Sequence, residues 1–155
     1  MVDIAFVIDS SGSIGRKNWE RMRRFLKALV SKLDVDSSAT HIAAIAYSTK
    51  PKVEMKFDGL QSTNQVNRLF DRMLWQRGVT YTDKALLLEN KEVFQTSGGM
   101  RLHVPKVQVL LCLNLLFPFQ YHISKECEYR VRRKVLTCQD KLILDRPDTP
   151  KLFVF

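Results

Sequence analysis

The sequence predicts an α/β domain with a mostly parallel sheet that carries helices on both faces. Three short, nearly continuous apolar runs alternate with segments of helical periodicity, and this alternation is typical of that class. The length of 155 residues favours one domain and can bury a core without disulfides. A hydrophobic fraction of 45% and a charged fraction of 26% are ordinary globular values, which argue against a disordered chain.

The first predicted strand covers residues 2–8, a run of β-branched and aromatic residues in which Asp3 is the only charge. Such a run suits a strand that is covered on both faces. Residues 9–15 have turn chemistry and end the strand. A helix follows over about residues 16–33, because apolar side chains recur there at spacings of three and four. Its opposite face is basic and carries Arg16, Lys17, Arg21, Arg24 and Lys27.

Residues 41–48 form the second predicted buried strand, and the alternating residues 52–57 predict an edge strand paired with it as a hairpin. Thr63 is the predicted N-cap of a second helix. Thr82 is the predicted N-cap of a third helix, which runs to about residue 96 and stops at two glycines. Residues 107–111 form the third buried strand. We assign three aromatic side chains to the core, namely Phe6, Phe25 and Phe70.

The best candidate for a functional site is residues 9–13, at the carboxyl end of the first strand, where α/β sheets bind ligands. Asp9, Ser11 and Ser13 alternate, so their oxygen atoms can converge on one object. One carboxylate with hydroxyls is hard-ligand chemistry that suits Mg²⁺ or Mn²⁺ and not zinc or copper. With so few carboxylates, the ion would keep positions open for water or for an acidic side chain of a partner. The alternative is a serine-rich loop that caps the helix and binds no metal.

Two segments of the chain resemble the von Willebrand factor type A domain. Residues 4–15 are similar to its opening segment, which carries the metal-ion-dependent adhesion site, and residues 78–86 are similar to its second metal loop, G-x-T-x-T-x-x-A-L. The resemblance covers about residues 2–111 and is closest to the matrix branch, as in collagen-associated and matrilin-like modules. Within it, Thr80 matches the metal-proximal threonine.

The resemblance implies a Rossmann-like fold and an extracellular module for cell–matrix adhesion. It also implies a divalent cation, Mg²⁺ or Mn²⁺, that meets an acidic group on a protein ligand such as collagen or another matrix protein. Trp75 and Tyr81 flank the second loop, and they are either ligand contacts at the rim of the site or side chains that pack the loop on the sheet.

The chain departs from the family after residue 111. The family continues there into a T-D-G-like turn whose aspartate completes the metal site, whereas this chain continues with Cys112 and has no aspartate before Asp140. Asn114 is the nearest polar candidate, and we expect weakened metal affinity. Residues 1–111 are therefore the N-terminal part of the domain, which is incomplete at its carboxyl end. Residues 112–155 are an unassigned tail, either foreign to the fold after truncation or mis-splicing, which we favour, or a divergent natural ending.

The net charge of +9 permits a polyanion partner but does not require one. Basic clusters at residues 21–24 with Lys27 and at residues 130–134 allow glycosaminoglycan binding, although such clusters are usually solvated helix faces. Aromatic residues are not interleaved with them, which argues against nucleic acid. The three cysteines form no C-x-x-C pair and indicate neither a zinc site nor a disulfide framework.

Catalysis is not expected from this sequence. No nucleophile-elbow G-x-S-x-G and no phosphate-binding glycine motif is present, and the three histidines are scattered along the chain. No signal-peptide pattern follows Met1, so secretion is inferred from the resemblance alone. The longest apolar stretch, residues 107–119, is shorter than the roughly 20 residues that a membrane helix needs.

Overall fold

The computed structural model describes residues 1–112 and the main chain of residues 151–154. The predicted α/β class is confirmed. The five strands are β1 (Val2–Asp9), β2 (Thr40–Tyr47), β3 (Lys52–Met55), β4 (Lys106–Leu111) and β5 (Lys151–Val154). The three α-helices are α1 (Gly15–Val30), α2 (Thr63–Arg72) and α3 (Thr82–Glu92). Short 3₁₀ turns occupy Gly12–Ile14 and Thr96–Gly98.

The sheet has the strand order β3-β2-β1-β4-β5, with β1 at its centre. β1 runs parallel to both β2 and β4, whereas β3 is antiparallel to β2, which confirms the predicted hairpin. Because the chain leaves β1 for β2 on one side and places β4 on the other, the strand order reverses at β1. Such a reversal opens a crevice at the carboxyl ends of the strands, where α/β proteins bind ligands.

Two clusters of apolar side chains cover the two faces of the sheet. Alternate residues of β1 divide between them, so that Phe6 lies in the first cluster and Val7 in the second. Phe6 packs edge-to-face on Phe70 of α2, with ring centroids 6.1 Å apart, which confirms the core assignment of both rings. The assignment of Phe25 to the core was wrong, because its side chain is 45% exposed. The buried stripe of α1 runs beside it, through Trp19, Met22, Leu26 and Val30.

Both predicted N-caps were wrong by one residue. Ser62 caps α2 in a capping box with Gln65: the Ser62 hydroxyl accepts from the Gln65 amide at 3.2 Å, and the Ser62 amide donates to Gln65 Oε1 at 2.9 Å. Thr63 is instead the first helical residue and donates to Asp36. Tyr81 occupies the N-cap position of α3 without a side-chain bond, so Thr82 is also the first helical residue. α3 ends at Glu92, earlier than the sequence predicts.

A buried ion pair fixes the amino end of β1. Asp3 is fully buried, and its carboxylate accepts from the Arg101 side chain at 2.7 Å and from the Arg101 amide at 2.9 Å. The same guanidinium donates to the main-chain oxygens of Ser38 and Val2. Arg101 therefore joins the amino end of β1 to two neighbouring loops.

The prediction that residues 112–155 are foreign to the fold lies almost entirely outside the described residues. Of that tail, the structure describes Cys112 and the main chain of Lys151–Val154, which pairs in parallel with β4. Asn114 and the basic residues 130–134 also lie outside the described part. Among residues 1–112 and 151–154, no helix has the length and apolar character needed to cross a bilayer.

Candidate functional site

The loop after β1 gathers the side chains of alternate residues at the carboxyl edge of the sheet. Asp9 is the last residue of β1, and its Oδ1 accepts a hydrogen bond from the Ser11 amide at 2.8 Å. The hydroxyl oxygens of Ser11 and Ser13 lie 3.0 Å apart and share a hydrogen bond. The 3₁₀ turn Gly12–Ile14 then leads into α1. This turn brings Ser13 back towards Ser11, so the structure places these three residues together.

The second carboxylate oxygen of Asp9 has an unusual environment. Asp9 is fully buried, and Oδ2 has no hydrogen-bond partner among the described residues. Burial raises the pKa of Asp9, and the hydrogen bonds from Ser11 only partly oppose that effect. A buried carboxylate oxygen without a donor is costly, and a bound cation would remove the cost.

The donor set fits a hard divalent cation. One carboxylate and neighbouring hydroxyls supply the oxygen ligands that Mg²⁺ prefers, and Mg²⁺ commonly keeps several waters. No group of three or more His, Cys, Asp or Glu side chains suited to a metal occurs within the described part of the chain. A cation here would therefore depend on hydroxyl and water ligands around Asp9, which is consistent with weak affinity.

The segment of residues 73–81, called the second loop from here on, is hydrogen-bonded directly to the loop that follows β1. The Arg77 amide donates to the Ser10 oxygen at 2.9 Å, and the Gly12 amide donates to the Gly78 oxygen at 3.0 Å. The Trp75 indole nitrogen donates to the Ser11 oxygen at 2.8 Å. These bonds join two segments that are far apart in sequence and hold the two motifs against each other.

Gly78 is required by the geometry of this contact. Its φ of +90° lies in the left-handed region that side chains disfavour. A Cβ at this position would also lie 2.5 Å from the Thr49 hydroxyl, which accepts a hydrogen bond from the Val79 amide. The glycine therefore lets the second loop approach the end of β2.

Thr80 lies in the part of the second loop that is anchored to the end of β2. On one side the Val79 amide donates to Thr49 Oγ1 at 3.1 Å, and on the other the Tyr81 amide donates to the Ser48 oxygen at 3.1 Å. Since Asp9 pairs with Tyr47 on β2, these bonds hold the backbone around Thr80 at the same edge of the sheet as Asp9.

The rim aromatics both have partners within the protein. Trp75 is half-buried against the first apolar cluster, and the Arg77 guanidinium stacks on its ring at 4.9 Å. The Lys84 ammonium lies 3.8 Å from the centroid of Tyr81. Sequence reasoning did not place Leu74 and Val79 at this rim, although they are 78% and 58% exposed on the same loop. An apolar residue inside a polar loop was the signal that could have identified them.

Cys112 is a further residue that sequence reasoning did not place at the site. It follows the last residue of β4 and is half-buried. Burial, and to a lesser extent the charge of Asp9, raises the pKa of its thiol to about 11. Finding this neighbour requires the register of β4 on β1, which the sequence does not reveal.

Comparisons with known proteins identify the family to which this chain is similar. The family model of the von Willebrand factor type A domain matches residues 3–113. The collagen alpha-6(VI) chain of Mus musculus is 33% identical over 109 residues, which are 70% of this chain and 5% of the collagen chain. The von Willebrand factor of Rattus norvegicus is 30% identical over 115 residues, 74% of this chain and 27% of the relative.

Among solved structures, one of proximal thread matrix protein 1 from the mussel byssus is similar in fold. That structure is described with zinc in its MIDAS motif, the metal-ion-dependent adhesion site. It superposes with a TM-score of 0.64 at 26% identity, over 71% of this chain and 28% of the mussel chain. The chain thus spans less than a third of the length of each of these relatives.

Proposed function

The chain belongs to the von Willebrand factor type A family, and from that premise we propose an extracellular protein-binding module for adhesion to the matrix. In this proposal Asp9, Ser11, Ser13 and Thr80 hold a divalent cation, Mg²⁺ or Mn²⁺. When bound, the cation supplies a positive charge that an acidic side chain of the protein ligand can complete. The observation that carries the proposal is the buried, unpartnered Oδ2 of Asp9 at the point where the strand order reverses.

The protein's own residues prepare this site in advance. Asp9 supplies the negative charge, and the Ser11 amide orients its carboxylate through Oδ1, which leaves Oδ2 for a ligand. The bonds from Trp75 and Arg77 hold the second loop against the first. A partner that binds here does not have to order these loops, and this preorganisation favours affinity.

The exposed side chains beside the site suit a protein partner. Leu74 and Val79 offer exposed apolar surface on the second loop, and the Arg77 guanidinium, stacked on Trp75, adds a positive charge. A ligand with an acidic residue flanked by apolar residues would match this rim. Collagen or another matrix protein is a reasonable candidate, because the relatives include a collagen VI chain and von Willebrand factor. The same relatives support an extracellular location.

Metal dependence is supported by the donor set and by the zinc-occupied MIDAS motif of the similar mussel protein. The missing last aspartate argues for affinity below that of a complete site. We assign no catalytic residue, since neither residues 9–13 nor residues 73–81 include a histidine that could serve as a base beside the hydroxyls. The proposal is therefore a binding function without an enzymatic step.

A calorimetric titration tests the proposal. Mg²⁺ and Mn²⁺ are titrated into the wild type, into Asp9→Ala and into Asp58→Ala, a matched control at an exposed aspartate. The wild type and Asp58→Ala are expected to give equal binding heats, whereas Asp9→Ala gives only dilution heat. Equal heats in the wild type and Asp9→Ala would refute the site.

The second candidate is a metal-independent structural or glycosaminoglycan-binding module. The structure reduces its main support, because two side chains of the basic cluster on α1 are already engaged: Lys27 bonds to the Asp71 carboxylate at 2.9 Å, and Arg23 donates to the Asp71 main-chain oxygen at 2.9 Å. Retention on heparin that survives EDTA and falls with salt would support this candidate. A folded chain that binds neither cations nor heparin would support a third alternative, a non-functional truncated product.

A further inference from the structure

Asp9 is the last residue of β1, and Cys112 directly follows the last residue of the adjacent strand β4. β4 pairs in parallel with β1, and their last register pair joins Ile8 to Leu111. The next residues along the two strands are Asp9 and Cys112, and paired strands lie about 4.8 Å apart. The two residues therefore stand side by side at the carboxyl edge of the sheet.

The two side chains also share a face of the sheet. Asp9 follows Val7 by two residues and Cys112 follows Leu110 by two, and alternate residues of a strand point the same way. Val7 and Leu110 both belong to the second apolar cluster, against which Cys112 is packed.

An unpartnered group at this position points to a ligand. The Oδ2 atom of Asp9 is buried and accepts no hydrogen bond from the described residues, whereas Oδ1 is satisfied by Ser11. The hydroxyls of Ser11 and Ser13 lie on the same loop. The edge of the sheet thus brings together a carboxylate oxygen, a thiol and two hydroxyls.

This combination of donors changes which cation the site should prefer. Thiolate and carboxylate groups are both ordinary zinc ligands, and soft sulfur favours thiophilic metals. Mg²⁺ requires oxygen ligands and gains nothing from sulfur. We propose that Cys112 and Asp9 jointly bind a thiophilic divalent cation, Zn²⁺ or Cd²⁺, in preference to Mg²⁺. The inference rests on the cation site proposed above and revises the expectation, drawn from residues 9–13 alone, that zinc is disfavoured.

Binding at the cysteine is a proton-for-metal exchange. The S–H bond of Cys112 breaks, a bond from sulfur to the metal forms, and the proton passes to solvent, with no change in oxidation state. The Ser11 and Ser13 hydroxyls would supply further ligands, and waters would occupy the positions that an acidic side chain of a partner can take. The site keeps room for an outside carboxylate, as the adhesion function requires.

The test is ultraviolet difference spectroscopy with Cd²⁺ alone, because a thiolate bound to Cd²⁺ gives a charge-transfer band and an oxygen site does not. The wild type should develop this band and saturate at one Cd²⁺ per chain. The Cys127→Ser/Cys138→Ser double variant is the matched control and should keep the full band. Cys112→Ser should lose the band, with Cd²⁺ affinity falling more than about tenfold, the lower limit for removing even a supporting group. Cys112→Ala and far-ultraviolet circular dichroism show whether either substitution unfolds the chain.

The outcomes separate this inference from the proposed function. No band in the wild type, or a band that persists in folded Cys112→Ser, would overturn the sulfur ligand. Preference for Mg²⁺ over Cd²⁺ in competition would overturn it as well. After any of these three results, binding heats for Mg²⁺ or Mn²⁺ that depend on Asp9 would still support the proposed adhesion site. A wild type that binds no cation at all would refute both proposals.

Discussion

The Trp75 indole nitrogen donates a hydrogen bond to the main-chain oxygen of Ser11 at 2.8 Å, across 64 residues of sequence. This bond ties the two loops of the site together at the residue whose hydroxyl faces Ser13. The Arg77 guanidinium covers the indole ring. Trp75 therefore acts as a brace between the loops, whatever contact it makes with a partner.

Replacing the indole by a ring without a donor tests this brace. Trp75→Phe keeps apolar packing but removes the hydrogen bond, so we expect a loss of about 1 kcal/mol in the free energy of unfolding. We also expect weaker Mn²⁺ binding, because Ser11 is less firmly placed. Urea denaturation and calorimetry measure the two effects. Unchanged Mn²⁺ affinity in a destabilised variant would show that the brace does not position the site.

Two glycines with positive φ offer a matched comparison. Gly59 has a φ of +74° and no atom within 4 Å of the place that a Cβ would take, whereas Gly78 has a φ of +90° and Thr49 Oγ1 at 2.5 Å from that place. Gly59→Ala should cost about 1 kcal/mol from backbone strain alone. Gly78→Ala should cost more and should weaken cation binding, since it displaces Thr49 and its bond from Val79. Equal losses in urea denaturation would mean that the contact with Thr49 is unimportant.

The buried pair of Asp3 and Arg101 should dominate the stability of the amino end of β1. Arg101→Met leaves the fully buried Asp3 carboxylate without its cation, and we expect a loss of about 3–5 kcal/mol. Arg16→Met breaks an exposed pair with Glu20 and should cost less than about 0.5 kcal/mol. Thermal or urea unfolding compares the two variants. Similar small losses in both would contradict the role of Arg101.

Glu89 gives the protein a specific pH dependence. It is buried in α3, its Oε2 accepts from Gln108 of β4, and its Oε1 has no partner among the described residues. Burial raises its pKa well above the ordinary value of 4.5, and the bond from Gln108 only partly opposes this. The folded state therefore binds a proton that the unfolded state releases, so stability falls as pH rises above 4.5 towards the folded pKa.

Glu89→Gln should remove that fall, because a neutral amide does not titrate. Unfolding free energies measured from pH 4.5 upwards should decline in the wild type and stay flatter in the variant. Glu20→Gln, at an exposed position on α1, is the control and should follow the wild type. An equal decline in wild type and Glu89→Gln would assign the pH dependence to other groups.

Hydrophobic periodicity predicted the order of the elements because each buried strand and each helix carries its own pattern. Capping preference placed the N-cap of α2 at Thr63, whereas Ser62 is the cap, since either residue type can cap and the side chain of Gln65 decides between them. Periodicity also placed Phe25 in the core, because the edge of an apolar helix face cannot be located without its neighbours.

In the candidate site, contacts between residues close in sequence could be predicted, whereas contacts between residues far apart in sequence could not. Asp9, Ser11 and Ser13 are close in sequence, and their convergence follows from one turn. The position of Cys112 beside Asp9 depends on the register between two strands that are far apart in sequence, and the bond from Trp75 to Ser11 depends on tertiary packing. Neither contact leaves a local pattern in the sequence.

The most direct test of the central claim is a crystal structure of the protein with Mn²⁺, located by its anomalous scattering. We predict one strong peak for an ion bonded to Asp9 Oδ2, with the hydroxyls of Ser11, Ser13 and Thr80 beside it. No peak at this loop, or a peak remote from Asp9 with Thr80 more than a nanometre from its carboxylate, would contradict it.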